Sequence, residues 1–310
     1  MQAVRIRIGT RGSPLALAQA HEVRDRLAKA HGLTEDAVAI TVIKTTGDRV
    51  LDRPLSELGG KGLFTKELED ALLANDIDVA VHSMKDMQTM LPDGLAIGAV
   101  LPREDPRDAF ISLKHANLGA VPAGAIVGTS SLRRKCQVLN ARPDLRVVDF
   151  RGNVETRLRK LKDEVAEATF LAVAGLKRLG LEDRITAAIP IEEMLPAVAQ
   201  GAIGLEMRAD DEKTAALIGP LNDLDTALAV TAERAFLARL EGSCRTPIAG
   251  HAKLDGGRLF FRGQVFSSDG KQKYDVSRAG ASENARDLGL SAADEVLSQA
   301  GATILARSSA

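Results

Sequence analysis

The sequence predicts an α/β protein of two similar lobes followed by a small α+β C-terminal domain. Three observations predict it. Strand-like and helix-like segments alternate up to about residue 101, the alternation restarts after "LPREDPRDAF" (101–110), and the pattern changes style near Asp223. Alternation of this kind implies mainly parallel sheets covered by helices. The expected domains are residues 1–101 with 200–219, then 105–195, then 223–310.

The first lobe opens with the strand "VRIRIGT". Ser13-Pro14 then supplies an N-cap and a proline at the first helical position, and the helix runs to Gly32, a plausible C′ residue. "AVAITVIKTTG" reads as a strand, "TKELEDALLAND" as a helix, and "IDVAVHSM" and "LAIGAVL" as further strands. The connection "TTGDRVLDRPLSELGGKG" (45–62) is longer than compact domains normally use and reads as a mobile lid. In the second lobe "AIVGTS", "LRVVDFRG" and "ATFLAVAGL" read as strands, with "SLRRKCQVLNARP" and "NVETRLRKLKDEV" as the helices between them. "LPAVAQGAIGLEMR" (195–208) returns the chain to the first lobe. A long helix, three short alternating segments and a closing helix make the third domain.

Composition excludes several functions. The 310 residues carry 41 Lys+Arg against 42 Asp+Glu, so no overall field points to nucleic acid or a membrane. With no Trp and one Tyr, stacking on bases is disfavoured. Two cysteines without Cys/His spacing make neither a disulfide framework nor a zinc site, and no metal is expected. The N-terminus lacks the apolar core of a secretory signal and no run approaches a membrane span, so a cytoplasmic protein with reduced thiols is expected.

Chemistry concentrates at strand ends. "RIGTRGSPLALAQ" and "IVGTSSLRRKCQ" share the order strand, Gly-Thr, Ser, helix, and such helix N-termini attract anions. Arg11, Arg133, Arg134, Arg151, Arg157 and Arg178 follow strands in the two lobes, where ligands of open α/β sheets bind. Their guanidinium forks suit carboxylates or phosphates, and the spacing does not separate the two. No P-loop or dinucleotide fingerprint stands in the right context. "VHSMKDM" delivers His82, Ser83, Lys85 and Asp86 at a strand end. Asp86 fits a role in proton transfer or cation stabilisation, and equally a pairing with Lys85 or a nearby arginine. Cys244, in the loop "RLEGSCRTPIAG" beside Arg245, has the positive neighbour that favours thiolate; Cys136 lies in an apolar helical stretch and reads as structural.

These segments carry a family resemblance. "RIGTRGSPLALAQA", "GGKGLFTKELE", "AVHSMKD", "REDPRDAF", "VGTSSLRRKCQ", "RGNVETRL", "LAVAGLKRLGL", "LPAVAQGAIG" and "LEGSCRTPI" occur in the order in which they occur in the porphobilinogen deaminase (hydroxymethylbilane synthase) family. The resemblance spans nearly the whole chain. It implies two lobes like those of a periplasmic binding protein around a cleft, with a third domain carrying a covalent cofactor, and a monomer. Cys244 stands where the family attaches dipyrromethane by a thioether. That cofactor, assembled from substrate, primes the addition of four porphobilinogen molecules, and hydrolysis then releases hydroxymethylbilane. Asp86 matches the catalytic aspartate. Lys85, Asp86, Ser131, Arg133 and Arg134 match cofactor-binding positions. Arg11, Ser13, Gln19, Thr129, Ser130, Arg151, Arg157 and Arg178 match substrate-binding ones.

Two departures from the family pattern stand near these residues. Gln88 occupies the usual proline after "KD" plus an apolar residue, which adds a backbone donor beside Asp86. Ser243 replaces a frequent glycine before Cys244. A non-catalytic bilobal protein that binds a small carboxylate would use the same arginines and is the alternative reading. A cysteine-nucleophile hydrolase ranks lower, since no His or Asn stands in an evident motif with Cys244.

Overall fold

The computed structural model of the chain describes residues 6–49, 62–242 and 246–300. The chain begins with β1 (Ile6–Thr10), α1 (Pro14–His31), β2 (Val38–Val42), α2 (Thr46–Arg49), α3 (Lys66–Leu73), β3 (Val79–Ser83) and β4 (Leu95–Val100). Next come β5 (Asp108–Ser112), β6 (Ile126–Gly128), α4 (Leu132–Ala141), β7 (Arg146–Val148), α5 (Val154–Lys162), β8 (Ala168–Ala172), α6 (Val173–Arg178) and β9 (Ala187–Ala188). The last group is β10 (Ile203–Arg208), α7 (Glu212–Ile218), α8 (Leu224–Arg239), β11 (Ile248–Asp255), β12 (Arg258–Phe266), β13 (Lys273–Ala281) and α9 (Ala285–Ala300). The described residues form two sheet-containing α/β lobes and a small C-terminal sheet domain. They group into two compact units: Met1–Arg103 with Ala202–Ala227, and Glu104–Gly201 with Leu228–Ala310.

The first unit holds a five-stranded sheet of order β2-β1-β3-β10-β4. β1 runs parallel to β2 and β3, whereas β10 is antiparallel to β3 and β4. Val79 and Val81 of β3 pack with Ala20, Val23 and Leu27 of α1, so that face is sealed by the helix whose apolar residues recur at three and four. Ala80 points the other way and packs with Leu68 and Leu72 of α3. Ser13 caps α1 by accepting from Ala16 N, Pro14 occupies the first turn, and Gly32 ends the helix at φ +61°.

The lobe sheet of the second unit repeats that plan, in the order β7-β6-β8-β5-β9. β6 is parallel to β7 and β8, and β5 is antiparallel to β8 and β9. Both lobe sheets are therefore mixed, which corrects the expectation of mainly parallel pairing. In each sheet the antiparallel strand, β10 or β5, enters without a preceding crossover helix of its own lobe, so nothing forces it parallel. β5 itself went unread, because its "DAFIS" abuts the charged prolyl stretch. "ATFLAVAGL" is a strand only to Ala172 and turns helical at Val173.

In the C-terminal domain an antiparallel meander β11-β12-β13 packs on α8 and α9 around Phe236, Phe261 and Val265. Gly289 of α9 lets the two helices meet closely. A Cβ there would lie 2.1 Å from the carbonyl oxygen of Ala232 in α8. Gly289→Ala is expected to destabilise the chain by about 1–3 kcal/mol through overpacking, read as a lower denaturant midpoint. Glu233 of α8, fully buried, accepts from Ala199 N at 2.5 Å and from Ala252 N at 2.7 Å. One carboxylate thus ties the C-terminal domain to the segment just before β10. Among the described residues no helix is long and apolar enough to cross a membrane.

Of the stretch read as a lid, Thr46–Arg49 forms one helical turn; residues 50–61 lie outside the described residues, as do Ser243, Cys244 and Arg245.

Candidate active site

The sequence-predicted residues fall into two sets, one in each unit. In the first unit, β3 ends at Ser83 and a single 3-10 turn over Met84–Asp86 carries Lys85 and Asp86. Met84 N donates to Ala202 O at 3.0 Å, which fixes where the turn starts. Gln19, buried in α1, donates to Ser83 Oγ at 2.8 Å. Asp86 is exposed and its carboxylate has no hydrogen-bond or ion-pair partner among the described residues. An unengaged carboxylate held on a short, anchored turn suits reaction chemistry better than a structural pairing.

Arg11 leaves β1 just ahead of the Ser13 cap, and its guanidinium stacks over the Phe64 ring at 4.2 Å from the centroid. Sequence reasoning passed over Phe64, although an aromatic residue ending a glycine-rich run in a chain this poor in aromatics was a usable signal. Gln88, the departure from the family proline, lies against Gly62: a Cβ at Gly62 would be 2.6 Å from Gln88 Nε2. The residue at 88 thus touches the end of the glycine-rich stretch.

In the second unit the loop after β6 is knitted by its own hydroxyls. Thr129 Oγ1 accepts from Ser131 N, Ser130 Oγ from Phe150 N, and Ser131 Oγ caps α4 by accepting from Arg134 N. Each hydroxyl accepts a backbone N–H here and retains its own O–H to donate. The short sequence echo therefore marks one construction used twice, with Ser13 and Ser131 as equivalent caps. Neither helix has an acidic residue in its first turn, so both N-termini keep their positive character.

Arg133 and Arg134 are buried rather than solvated. They are 5% and 6% exposed, and both pair at 2.7 Å with Asp108, which is fully buried at the start of β5. Arg134 also donates to Phe170 O, Arg133 to Leu195 O, and Gln200 Nε2 to Asp108 Oδ1. Burial works to raise the Asp108 pKa, and the charges of Arg133 and Arg134 outweigh it and hold it below the ordinary aspartate range. Asp108 was missed because only the fold brings it to two arginines about 25 residues downstream. Arg133 Nε is buried with no hydrogen-bond partner among the described residues.

Arg151 and Arg157 follow β7. Arg157 Nε donates to Gly152 O at 2.9 Å. Burial, then the charge of Arg134, pulls Arg157 down to about 10, with Arg151 adding to the effect and Asp149 opposing it. A guanidinium depressed first by burial and then by the charges of Arg134 and Arg151 stands in a positive cluster. Arg178 closes α6 and donates from Nη2 to Gly201 O at 3.1 Å. Cys136 is buried, donates to Ser267 O at 3.4 Å, and is pushed up to about 11 by burial. It is a poor nucleophile, as its structural reading requires. Among the described residues no group of His, Cys, Asp and Glu is placed to hold a metal ion.

A family model described as porphobilinogen deaminase, dipyromethane cofactor binding domain, matches residues 6–216, and one described as porphobilinogen deaminase, C-terminal domain, matches residues 227–298. The chain belongs to the porphobilinogen deaminase family. A protein named porphobilinogen deaminase from Paracoccus denitrificans (strain Pd 1222) is 61% identical over 96% of this chain and 95% of its own length. One from Nitrobacter hamburgensis is 57% identical over 95% of this chain and 93% of its own. A chloroplastic porphobilinogen deaminase of Pisum sativum is 55% identical over 96% of this chain and 82% of its own. Among solved structures, a methionine binding protein is similar with a TM-score of 0.43 at 14% identity, over 68% of this chain and 89% of its own.

The residues of the second unit fit the family's cofactor. Dipyrromethane is a carboxylate-bearing pair of pyrroles. The positive cluster of Arg134, Arg151 and Arg157, the unsatisfied Arg133 donor and the Ser131 hydroxyl at a helix N-terminus together form a donor set for such acids.

Proposed function

We propose that this chain deaminates porphobilinogen and joins four such units head to tail on a dipyrromethane primer held by Cys244, then releases hydroxymethylbilane by hydrolysis. The observation that carries the reading is the pair of family models, which together take in both residue sets and the cysteine-bearing domain. The non-catalytic carboxylate-binding alternative also suits the arginines, but the family match does not favour it.

The residues divide the work by charge. Cys244, Lys85, Ser131, Arg133 and Arg134 hold the cofactor, which when bound supplies the pyrrole carbon that takes the first incoming unit. Arg11, Arg151, Arg157 and Arg178 are assigned the acetate and propionate groups of substrate pyrroles, with Ser13, Gln19, Thr129 and Ser130 completing their hydrogen bonds. Gln19 is here already bonded to Ser83, so its assigned contact requires its other amide valences. Asp86 is assigned the cation that develops on the substrate pyrrole as its C–N bond breaks and ammonia leaves. A carboxylate stabilises that charge and can accept the pyrrole N–H. Burial of Arg133 and Arg134 on Asp108 makes them rigid, so their forks are oriented before any acid arrives. A monomer acting in the cytoplasm completes the proposal.

Intact mass of the denatured protein, alongside its Cys244→Ser variant, tests it. The expected result is a gain of two porphobilinogen units less two ammonias, resistant to thiol reductant and absent from the variant. A bare chain that gains no pyrrole mass when porphobilinogen is added would sink the proposal. Light scattering tests the monomer.

A further inference from the structure

Behind the Asp86 turn lies a buried polar pocket that the assigned chemistry does not use. His82, the penultimate residue of β3, is 5% exposed, and its Nε2 lies 2.9 Å from Oε2 of Glu206 on β10, which is fully buried. The two strands are antiparallel neighbours, with His82 paired to Gly204 and Glu206 to Ala80, so the contact is a diagonal one on one sheet face. Oε1 of Glu206 is buried and has no hydrogen-bond partner among the described residues. Glu69 of α3 is buried nearby; burial raises its carboxyl above the ordinary value and the Glu206 charge raises it further. Two carboxylates and one imidazole thus share an apolar enclosure formed with Leu68, Leu72 and Ala80.

Such a pocket is costly: apolar residues of equal volume are often as stable or more so, which leaves geometry as the reason to keep it. The geometry is specific. Side chains alternate along β3, so Ser83 faces α1, where Gln19 grips it, and His82 faces α3, where Glu206 grips it. The next residue, Met84, is bonded through its backbone N–H to Ala202 O, and Asp86 follows within the same turn. Gly204, opposite His82, leaves the room that Met84 fills: a Cβ there would sit 2.0 Å from Met84 Sδ. The residues just before Asp86 are therefore held on both faces of the sheet and by the neighbouring segment that leads into β10.

We propose that His82 and Glu206 are positioning residues for the reaction: their buried contact fixes the end of β3 and so the place of the Asp86 carboxylate. The inference rests on the reading of Asp86 above. It assigns no contact between His82 or Glu206 and substrate.

The test uses the full chain loaded with its cofactor. The double variant His82→Phe/Glu206→Leu removes both partners of the contact at once, so neither is left buried without the other. It should lower kcat for porphobilinogen about 10- to 100-fold, as a misplaced catalytic group does, with KM within about twofold of the parent. His82→Gln keeps an N–H that can reach Glu206 and should recover most of the lost kcat. A folded, cofactor-loaded double variant with parental kcat overturns the proposal, as does a rise in KM at unchanged kcat. Should the double variant not fold, Glu206→Met decides by the same split, since it removes the contact at one partner and leaves the imidazole in place. An inactive parent would instead sink the reading of the function, which separates the two failures.

Discussion

Asp86→Asn is expected to lower kcat by about 10²–10⁴-fold while leaving the fold and the capture of porphobilinogen largely intact. The substitution keeps shape and one acceptor oxygen, removes the negative charge and turns the other oxygen into an NH2 donor. Because Asp86 is exposed and unpaired among the described residues, its loss should change stability by no more than about 0.5 kcal/mol. A cation exists at this position only as ammonia departs, so the missing interaction belongs to the transition state and shows in kcat more than in KM. Single-turnover kinetics with porphobilinogen, together with denaturant unfolding, checks both halves. A variant that lost affinity but turned over at the parental rate would contradict the role assigned to Asp86.

Asp108→Asn should have the largest effect on stability, about 3–5 kcal/mol, because it leaves the buried guanidiniums of Arg133 and Arg134 without their shared anion. Denaturant unfolding of parent and variant at neutral pH measures it, and a difference below about 1 kcal/mol would mean that Asp108 is not the shared counter-charge of Arg133 and Arg134. The pH dependence has a definite sign. The folded pKa of Asp108 is depressed, so its contribution is complete above the ordinary aspartate value of about 4 and is lost as pH falls through the folded value. The parent–variant gap should therefore stay flat from about pH 5 to about pH 8 and close only on stronger acidification. Activity should fall with stability, since Arg133 and Arg134 lose their fixed orientation.

Gly289→Ala and Asp108→Asn probe different things. The first tests packing of two helices of the C-terminal domain; the second tests a charge network within the candidate site. A parent-like midpoint for Gly289→Ala would show that α8 and α9 can separate slightly without loss, whereas Asp108 has no such latitude.

Much of the candidate site was legible before folding because it is local. Ser13 and Ser131 cap helices within three residues of themselves, Gly32 ends a helix through its own backbone freedom, and Arg11, Arg151 and Asp86 each stand within three residues of a strand end. Such features depend on neighbours in sequence, so a reading of spacing finds them. Cys136 was readable as structural from its helical setting, but its hydrogen-bond partner Ser267, 131 positions away, was not.

The sequence by itself determined the helix starts, the recurrence of one strand–loop–helix construction in two lobes, the change of architecture near Asp223 and the family. Each is written in short-range order or in motif order. Only the tertiary structure decided that Arg133 and Arg134 are buried on Asp108, that both lobe sheets are mixed, and that His82 is held by Glu206. The last of these alone joins residues 124 positions apart. The physical reason is that a buried charge is tolerable only beside its counter-charge. Which counter-charge that is depends on which strands become neighbours, and the antiparallel entry of β5 and β10, which makes them so, leaves no local mark in the chain.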